Sequence, residues 1–174
     1  MKQVFYKILD ILFPKNCVFC KKQGSFLCED CFSLIEINTF PCRNNIFVAA
    51  NQNQIINKII DSYNSGIKEL SYPLSIIILT HFLLLKKDCF SNFVIFPTPQ
   101  SQKDIKRTGF NKTKEVAKII SEKLKIKIIE DIDQIIDKNI MILDIVYSEK
   151  TEKIFKQIEK ISENQIVEVV IIKH

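Results

Sequence analysis

The chain has little glycine and no long uninterrupted hydrophobic segment. It contains 3 glycines and 5 prolines among 174 residues, which excludes collagen-like and glycine-rich linker architectures. Its longest stretch without a charged residue is 70–85, which has 16 residues and carries Pro73 near its start. Because a membrane-spanning helix needs about 18 apolar residues or more, this stretch predicts a buried helix, with a membrane segment as the less favoured alternative.

The first 13 residues also lack the features of a secretory signal. Their apolar residues recur at helical spacing but are interleaved with Lys2, Lys7 and Asp10, and no small-residue cleavage site follows. We therefore expect a cytoplasmic protein without a membrane span. Its 6 cysteines should be reduced there, which favours metal binding over disulfides.

The residues that are present predict a globular chain in two parts. Hydrophobic residues make up 47% and charged residues 26% of the sequence, a globular composition. Residues 1–45 predict an N-terminal helix and a small cysteine-rich domain, too short to bury a core of its own. Residues 46–174 alternate strand and helix periods, which predicts a parallel sheet with helices on both faces. Strands are predicted at 46–50, 93–96, 126–129, 140–143 and 166–172, and helices around 55–63, 67–85, 116–124 and 154–161.

The strongest local pattern is a pair of C-x-x-C knuckles, Cys17/Cys20 and Cys28/Cys31, separated by seven residues. Two such knuckles suit a tetrahedral zinc ion, because each bends to aim two thiolates at one point. Four thiolates fill the coordination shell, so the predicted zinc is structural rather than catalytic. A redox C-x-x-C pair or unrelated thiols are the alternatives. Cys42 and Cys89 have no partner at ligand spacing and are expected to be small apolar residues.

Two strand ends carry polar residues that lead into helices. The first is the segment from Phe96 to Pro99, which is followed by 106–111 at the expected start of a helix. The second is the segment from Ile142 to Ser148, which leads into a helix from about Thr151. Ligands bind at the carboxyl ends of parallel strands, and a helix N-terminus attracts phosphate. Both places are therefore candidate phosphate sites. The alternative is that they are loops with ordinary helix caps.

The order of these motifs resembles the competence protein ComF family. The likeness consists of the knuckles just after Leu12-Phe13-Pro14, a strand ending in Pro-x-Pro, and Gly109-Phe110-Asn111 opening a helix. It implies a zinc ribbon joined to a type I phosphoribosyltransferase-like (Rossmann-like) domain. It also implies a site for phosphoribosyl pyrophosphate, with Mg²⁺ if that ligand binds. The site residues implied by the likeness are Asp144, Tyr147, Ser148 and Thr151.

The chain departs from the family pattern at this implied site. The family has a second acid where Ile145 stands, a second threonine where Glu149 stands, and a glycine where Lys150 stands. The arginine before Gly-Phe-Asn is replaced by Thr108, and residues 129–139 are too few for the mobile hood segment of the family. We therefore expect the fold to be kept, phosphoribosyl pyrophosphate to bind weakly or not at all, and transferase catalysis to be lost.

Charge adds a nucleic-acid hypothesis. Residues 103–127 contain nine basic and three acidic residues, whereas residues 130–168 contain five basic and ten acidic ones. Basic surfaces bind phosphate backbones without sequence preference, so we expect phosphate or nucleic-acid binding around Arg107, Gly109, Asn111 and Lys112. A solvated lysine-rich helix is the alternative, and base stacking is poorly supported because Phe110 is the single aromatic residue in this stretch.

Three functions are consistent with the sequence. The first is a ComF-like, non-catalytic protein that acts in or near DNA uptake, with single-stranded DNA or a DNA-uptake protein as partner. The second is an active phosphoribosyltransferase that uses Asp144, although no general base stands out and His81 is expected in the core. The third is a zinc-ribbon scaffold that binds a partner protein.

Overall fold

A parallel sheet forms the centre of the molecule. The computed structural model describes residues 14–39, 45–85, 92–135, 138–161 and 165–172. The strands are β1 (Ile46–Val48), β2 (Phe93–Pro97), β3 (Asn139–Leu143) and β4 (Ile166–Val170). The α-helices are α1 (Glu29–Ser33), α2 (Gln54–Asn64), α3 (Ser71–Leu84), α4 (Gln102–Thr108), α5 (Lys112–Leu124) and α6 (Glu149–Glu159), and 3₁₀ turns span Lys68–Leu70 and Ile132–Gln134.

The strand order in the sheet is β1-β4-β3-β2, and all three pairings are parallel. Phe93 lies opposite Asn139 on β3, and Phe47 lies opposite Val169 on β4. Parallel neighbours require crossover connections, which the helices supply. The predicted α/β class with a parallel sheet is therefore confirmed.

Apolar side chains alternate between the two faces of the sheet, and each face has its own core. One core combines Ile95 of β2 and Leu143 of β3 with residues of α2, α3 and α5. The other combines Phe96 and Ile142 with Ile158 of α6. Helices thus cover both faces, as the alternating pattern predicted, and strands buried on both sides read as continuous hydrophobic runs.

The cysteine-rich segment joins the larger of these cores. Val18 and Ile35 belong to the same apolar cluster as the sheet residues. Ile37 forms an antiparallel bridge with Ala50, and the Asn38 N–H donates to the Ala49 carbonyl at 2.9 Å. The segment before β1 thus rests directly on the α/β part, and a domain boundary near residue 45 stays a prediction.

Several elements differ from the sequence predictions. The predicted strand at 126–129 is a single bridge between Ile128 and Ile95. The predicted helix 67–85 begins with a 3₁₀ turn, and Pro73 lies in the first turn of α3, where its missing N–H costs nothing. Residues 102–108 form a separate helix before Gly109, so 106–108 end a helix rather than begin one.

Other predictions about single residues have varied outcomes. His81 is fully buried, and its Nδ1 lies 2.6 Å from the Asn38 carbonyl oxygen, as expected for a core histidine. The helix predicted in residues 1–13 lies outside the described residues, as do Cys42 and Cys89. Among the residues that the structure describes, no helix is both long and apolar enough to cross a membrane.

Candidate functional site: a four-cysteine cluster and a cavity at the sheet edge

The first knuckle is a tight hairpin. The Cys17 N–H donates to the Lys22 carbonyl at 2.9 Å, and Asn16 bridges Gln23 in antiparallel fashion. The turn requires positive φ at Lys21 (68°) and at Gly24 (117°). Glycine adopts this conformation without the steric cost that other residues incur, which explains the glycine between the two knuckles.

The second knuckle is built on the start of a helix. Cys28 immediately precedes α1, and Cys31 lies within its first turn. The Phe32 N–H donates to the Cys28 carbonyl at 2.9 Å, which closes this turn. The helical turn brings the two side chains of this knuckle to the same side, facing the first hairpin.

Together the knuckles bring four thiols to one point. The Sγ atoms of Cys17, Cys20, Cys28 and Cys31 all lie within 4.8 Å of one another. Thiolates around a tetrahedral zinc ion, at about 2.3 Å from the metal, are about 3.8 Å apart. The cluster therefore has the donor set and the spacing to hold a metal ion.

The cluster favours the thiolate at Cys17, whereas burial and hydrogen bonds with the other cysteines raise the pKa of Cys31. Burial opposes ionisation of Cys17, but backbone N–H groups of Cys28, Cys20 and Phe19 donate to its sulfur and lower its pKa to about 6. Cys17, Cys28 and Cys31 are buried, whereas Cys20 is exposed. Such a group of thiols would bind a cation, because the thiolate is the form of cysteine that acts as a metal ligand.

The second candidate site is a cavity at the carboxyl ends of β2 and β3. Its volume is about 260 Å³. The loop after β2 contributes Thr98 and Gln100, and the loop after β3 contributes Asp144. Lys112 and Lys150 also line it. The two strand ends that the sequence marks as candidate phosphate sites meet here, at the edge where open parallel sheets bind ligands, and the phosphate site itself stays a prediction.

Asp144 is tied to its own chain at both oxygens. Its Oδ1 accepts from the Ile145 N–H at 2.7 Å, and its Oδ2 accepts from the Thr151 hydroxyl at 2.7 Å. Burial raises the pKa of this carboxyl above its usual range, while these two bonds, Thr98 and Lys150 oppose the rise. The carboxylate joins the end of β3 to the first turn of α6.

Ser148, Thr151 and Tyr147 serve the local structure around this joint. Ser148 is the N-cap of α6, and its Oγ accepts from the Thr151 N–H at 3.3 Å. Thr151 is fully buried. The Tyr147 N–H donates to the Ile172 carbonyl at 3.0 Å. Of these three predicted site residues, Ser148 lines the cavity, whereas Tyr147 and Thr151 do not.

Two lysines cross the cavity from different elements. Lys150 Nζ donates to the Pro99 carbonyl, which links α6 to the loop after β2. Lys112 Nζ donates to Asn64 Oδ1 at 2.6 Å, and its own N–H donates to Gln100 Oε1 at 2.8 Å. Burial lowers the pKa of Lys112, and nearby Arg107 adds to the lowering. Sequence reasoning missed Asn64 and Gln100, because Asn64 is 48 positions from its partner.

The Gly109 region is occupied by helix caps. Gly109 has φ 82° and ends α4, its N–H donating to the Ile105 carbonyl at 2.8 Å. Asn111 is the N-cap of α5, accepting from the Lys114 N–H at 3.0 Å. Arg107 is exposed, 3.5 Å from Asp104 Oδ1. Gly109 and Asn111 thus act as helix caps, which is the alternative to a phosphate site that the sequence left open.

The structure defines an α/β protein with a parallel sheet and a four-cysteine cluster that can hold a metal ion. No protein-family model, curated protein or solved structure matches the chain. The resemblance to the ComF family therefore rests on the motifs in the sequence.

Proposed function

We propose that the chain is a ComF-like, non-catalytic binding protein that acts in or near DNA uptake. It combines a structural zinc knuckle with a type I phosphoribosyltransferase-like domain. Support for this fold comes from the parallel sheet, from the knuckles that precede it, and from the polar cavity at the carboxyl ends of β2 and β3. The zinc stabilises the knuckles, where the four thiolates leave no position for a substrate.

The observation that carries the loss of catalysis is the state of Asp144. In the family this acid holds ribose hydroxyls of phosphoribosyl pyrophosphate. Here its two oxygens accept from Ile145 and Thr151, and the position of the second family acid is taken by Ile145, which is buried in the core. The ribose site is thus reduced to one carboxylate that already fastens β3 to α6.

The phosphate side of the same site is also changed. The family loop uses a glycine to let backbone N–H groups approach the phosphate closely. Lys150 stands at this position and reaches across the cavity to Pro99, and Glu149 beside it is exposed. A carboxylate near a phosphate dianion is repulsive, so this edge disfavours phosphoribosyl pyrophosphate and the Mg²⁺ that would accompany it.

The second part of the proposed function is nucleic-acid binding by the basic residues of 103–127. The basic residues of 103–127 lie on α4, on α5 and in the segment that follows α5. Phe110 is buried and its ring lies 5.3 Å from that of Tyr63, so it supplies no stacking platform. We therefore propose single-stranded DNA as the partner, bound through its phosphates and without base preference.

Calorimetry with phosphoribosyl pyrophosphate and Mg²⁺ tests the loss of the catalytic site. We expect no measurable heat from the parent protein. A variant with Glu149→Thr and Lys150→Gly removes the repulsive acid and the bridging lysine, and it should gain measurable affinity. The chain offers a matched control at the other end of α6, because Glu159→Thr with Lys160→Gly makes the same changes away from the cavity.

The outcomes separate the competing functions. Tight binding by the parent protein, followed by turnover with a nitrogenous base, would establish the active phosphoribosyltransferase instead. If the variant with Glu149→Thr and Lys150→Gly gains no affinity, the edge does not have the phosphoribosyl geometry and the protein is better described as a zinc-ribbon scaffold.

A further inference from the structure

The fold divides the basic stretch 103–127 between two ends of the sheet. Helix α5 starts at the carboxyl end, where the Thr113 hydroxyl donates to the Thr98 carbonyl at 2.9 Å. The chain leaves α5 toward the amino end, and the Lys127 carbonyl then accepts from Ile95 of β2 at 2.8 Å. A helix of this length spans about 20 Å. The basic residues of the stretch therefore cannot act as one patch.

Three of the four lysines of α5 are engaged within the chain. Lys114 Nζ lies 2.6 Å from Glu130, and Lys118 Nζ lies 2.7 Å from Glu115. Lys112 donates to Asn64 inside the cavity wall. These acids cancel much of the field of α5, so the longest basic helix is not the best surface for a polyanion.

Helix α4 presents the opposite arrangement. Lys103, Lys106 and Arg107 are exposed and are spaced i, i+3 and i+4, which places them on one face. Among the described residues, neither Lys103 nor Lys106 has an acidic partner. The acid of this helix, Asp104, accepts from the Ser101 hydroxyl at 2.6 Å and lies 3.5 Å from Arg107. An exposed pair of this length is weak.

We infer that this face of α4, formed by Lys103, Lys106 and Arg107, is the surface that binds the phosphate backbone of single-stranded DNA. The inference rests on the proposed function and specifies where the DNA lies: at the carboxyl end of the sheet, beside the cavity that Asp104 also lines. The face extends about 6 Å along the helix, so it contacts two or three phosphates of a flexible strand. Binding should be weak and strongly dependent on salt.

Fluorescence anisotropy with a labelled thymidine oligonucleotide of about 20 nucleotides tests this surface. The variant Lys103→Glu, Lys106→Glu and Arg107→Glu should bind at least tenfold more weakly at low salt. The slope of log affinity against log salt should become shallower by about 2, since each lost phosphate contact removes about 0.7. The neutral triple variant, with Gln at the same positions, should show a smaller loss in the same direction.

The matched control carries the same charge change at and just beyond the C-terminal end of α5. Lys123→Glu, Lys125→Glu and Lys127→Glu should keep the affinity within about threefold of the parent, because α4 precedes the N-terminal end of α5 and this helix is about 20 Å long. Circular dichroism of each variant checks that the fold is retained, and the glutamine variant replaces the glutamate variant if the latter is unfolded.

The outcomes distinguish the surface from the function. If the parent binds the oligonucleotide but both α4 variants bind equally well, or if the control loses as much as the α4 variants, the placement on α4 is wrong and the proposed function stands. If the parent protein does not bind at low salt, the proposed DNA-binding function is wrong and the α4 surface falls with it.

Discussion

The two regions in which the sequence concentrates its polar chemistry are built in opposite ways. In the cysteine knuckles, four sulfur atoms converge within 4.8 Å, and the apolar cluster around them contains little besides the cysteines themselves and Leu27. At the sheet edge, the carboxylate of Asp144 accepts from two donors of its own chain. The knuckles are arranged for an ion, whereas the edge is held together by internal hydrogen bonds.

The two regions differ in how far their converging polar groups are satisfied by the chain itself. A ligand site keeps polar groups that converge but do not satisfy one another, since the ligand completes them. In the knuckles the four sulfur atoms converge, with a weak thiol contact between Cys20 Sγ and Cys28 Sγ at 3.5 Å. At the sheet edge Ser148, Thr151 and Lys150 bond to groups of the chain itself.

The largest effect is expected when the knuckles lose a ligand. Cys28→Ser removes one thiolate from the four, and apparent zinc-binding free energies of such small sites are roughly 10–16 kcal/mol. We expect one zinc ion per parent chain, no zinc in the variant, and rapid proteolysis of the N-terminal part. Elemental analysis and limited proteolysis measure both effects.

Cys42→Ser is the matched control for this experiment and should keep the metal and the protease resistance. Elemental analysis that shows no zinc in protein purified without chelators would contradict the zinc assignment. It would also remove the contrast between the two regions, because neither would then require a ligand.

The next effect tests whether the sheet edge is held by its own bonds. Thr151→Val removes the hydroxyl that donates to Asp144 Oδ2 at 2.7 Å, at a position with 0% exposure. A buried acceptor without its donor costs about 1–3 kcal/mol, and urea denaturation should show this loss in the free energy of unfolding. Thr151→Ser keeps the hydroxyl and should be less destabilised; equal stability of Thr151→Val and the parent would show that the bond is dispensable.

A smaller and symmetrical test compares one glycine from each region. Gly24 and Gly109 have φ of 117° and 82°, and a Cβ atom at either would meet nothing within 4 Å. Substitution by alanine should therefore cost only the backbone strain of a positive φ in the folded state, about 1–2 kcal/mol at such positions. We expect Gly109→Ala to lower the free energy of unfolding and Gly24→Ala to lower zinc affinity about tenfold, the equivalent of about 1.4 kcal/mol.

Urea denaturation and competition with a zinc chelator measure these two quantities in each variant. If Gly24→Ala lowers the unfolding free energy as Gly109→Ala does, and leaves zinc affinity unchanged, the knuckles are stabilised by the core rather than by the metal.

The smallest expected effect is a pH dependence at the sheet edge. Burial raises the pKa of Asp144, so the folded state takes up a proton at a higher pH than the unfolded chain does. Stability linked to this group is therefore greatest below the ordinary carboxyl pKa of about 4 and decreases as the pH rises through the higher folded value. Asp144→Asn should remove this component from the pH profile of the unfolding free energy; an unchanged profile would assign it to other groups.

Features that depend on local spacing could be predicted from the sequence. The C-x-x-C pairs predicted the cysteine cluster, because two thiols three residues apart on a tight turn are already directed together. The continuous apolar runs at 93–96 and 140–143 predicted buried parallel strands, since strands covered on both faces have no polar side. The prolines at 97 and 99 predicted the end of β2, because proline has no backbone N–H to donate within a sheet.

Which polar residues contact each other depends on the tertiary structure. Lys112 bonds to Asn64 and Lys150 bonds to Pro99. Neither contact could be predicted from the periodicity of the sequence. The basic residues of 103–127 form one run in the sequence, yet α5 separates them along its length and pairs Lys118 with Glu115 and Lys114 with Glu130. Counting charges along the sequence gives only their sum. The electrostatic field at a surface depends on the distances between charges and on neighbouring charges of opposite sign. The packing of the helices on the sheet sets both.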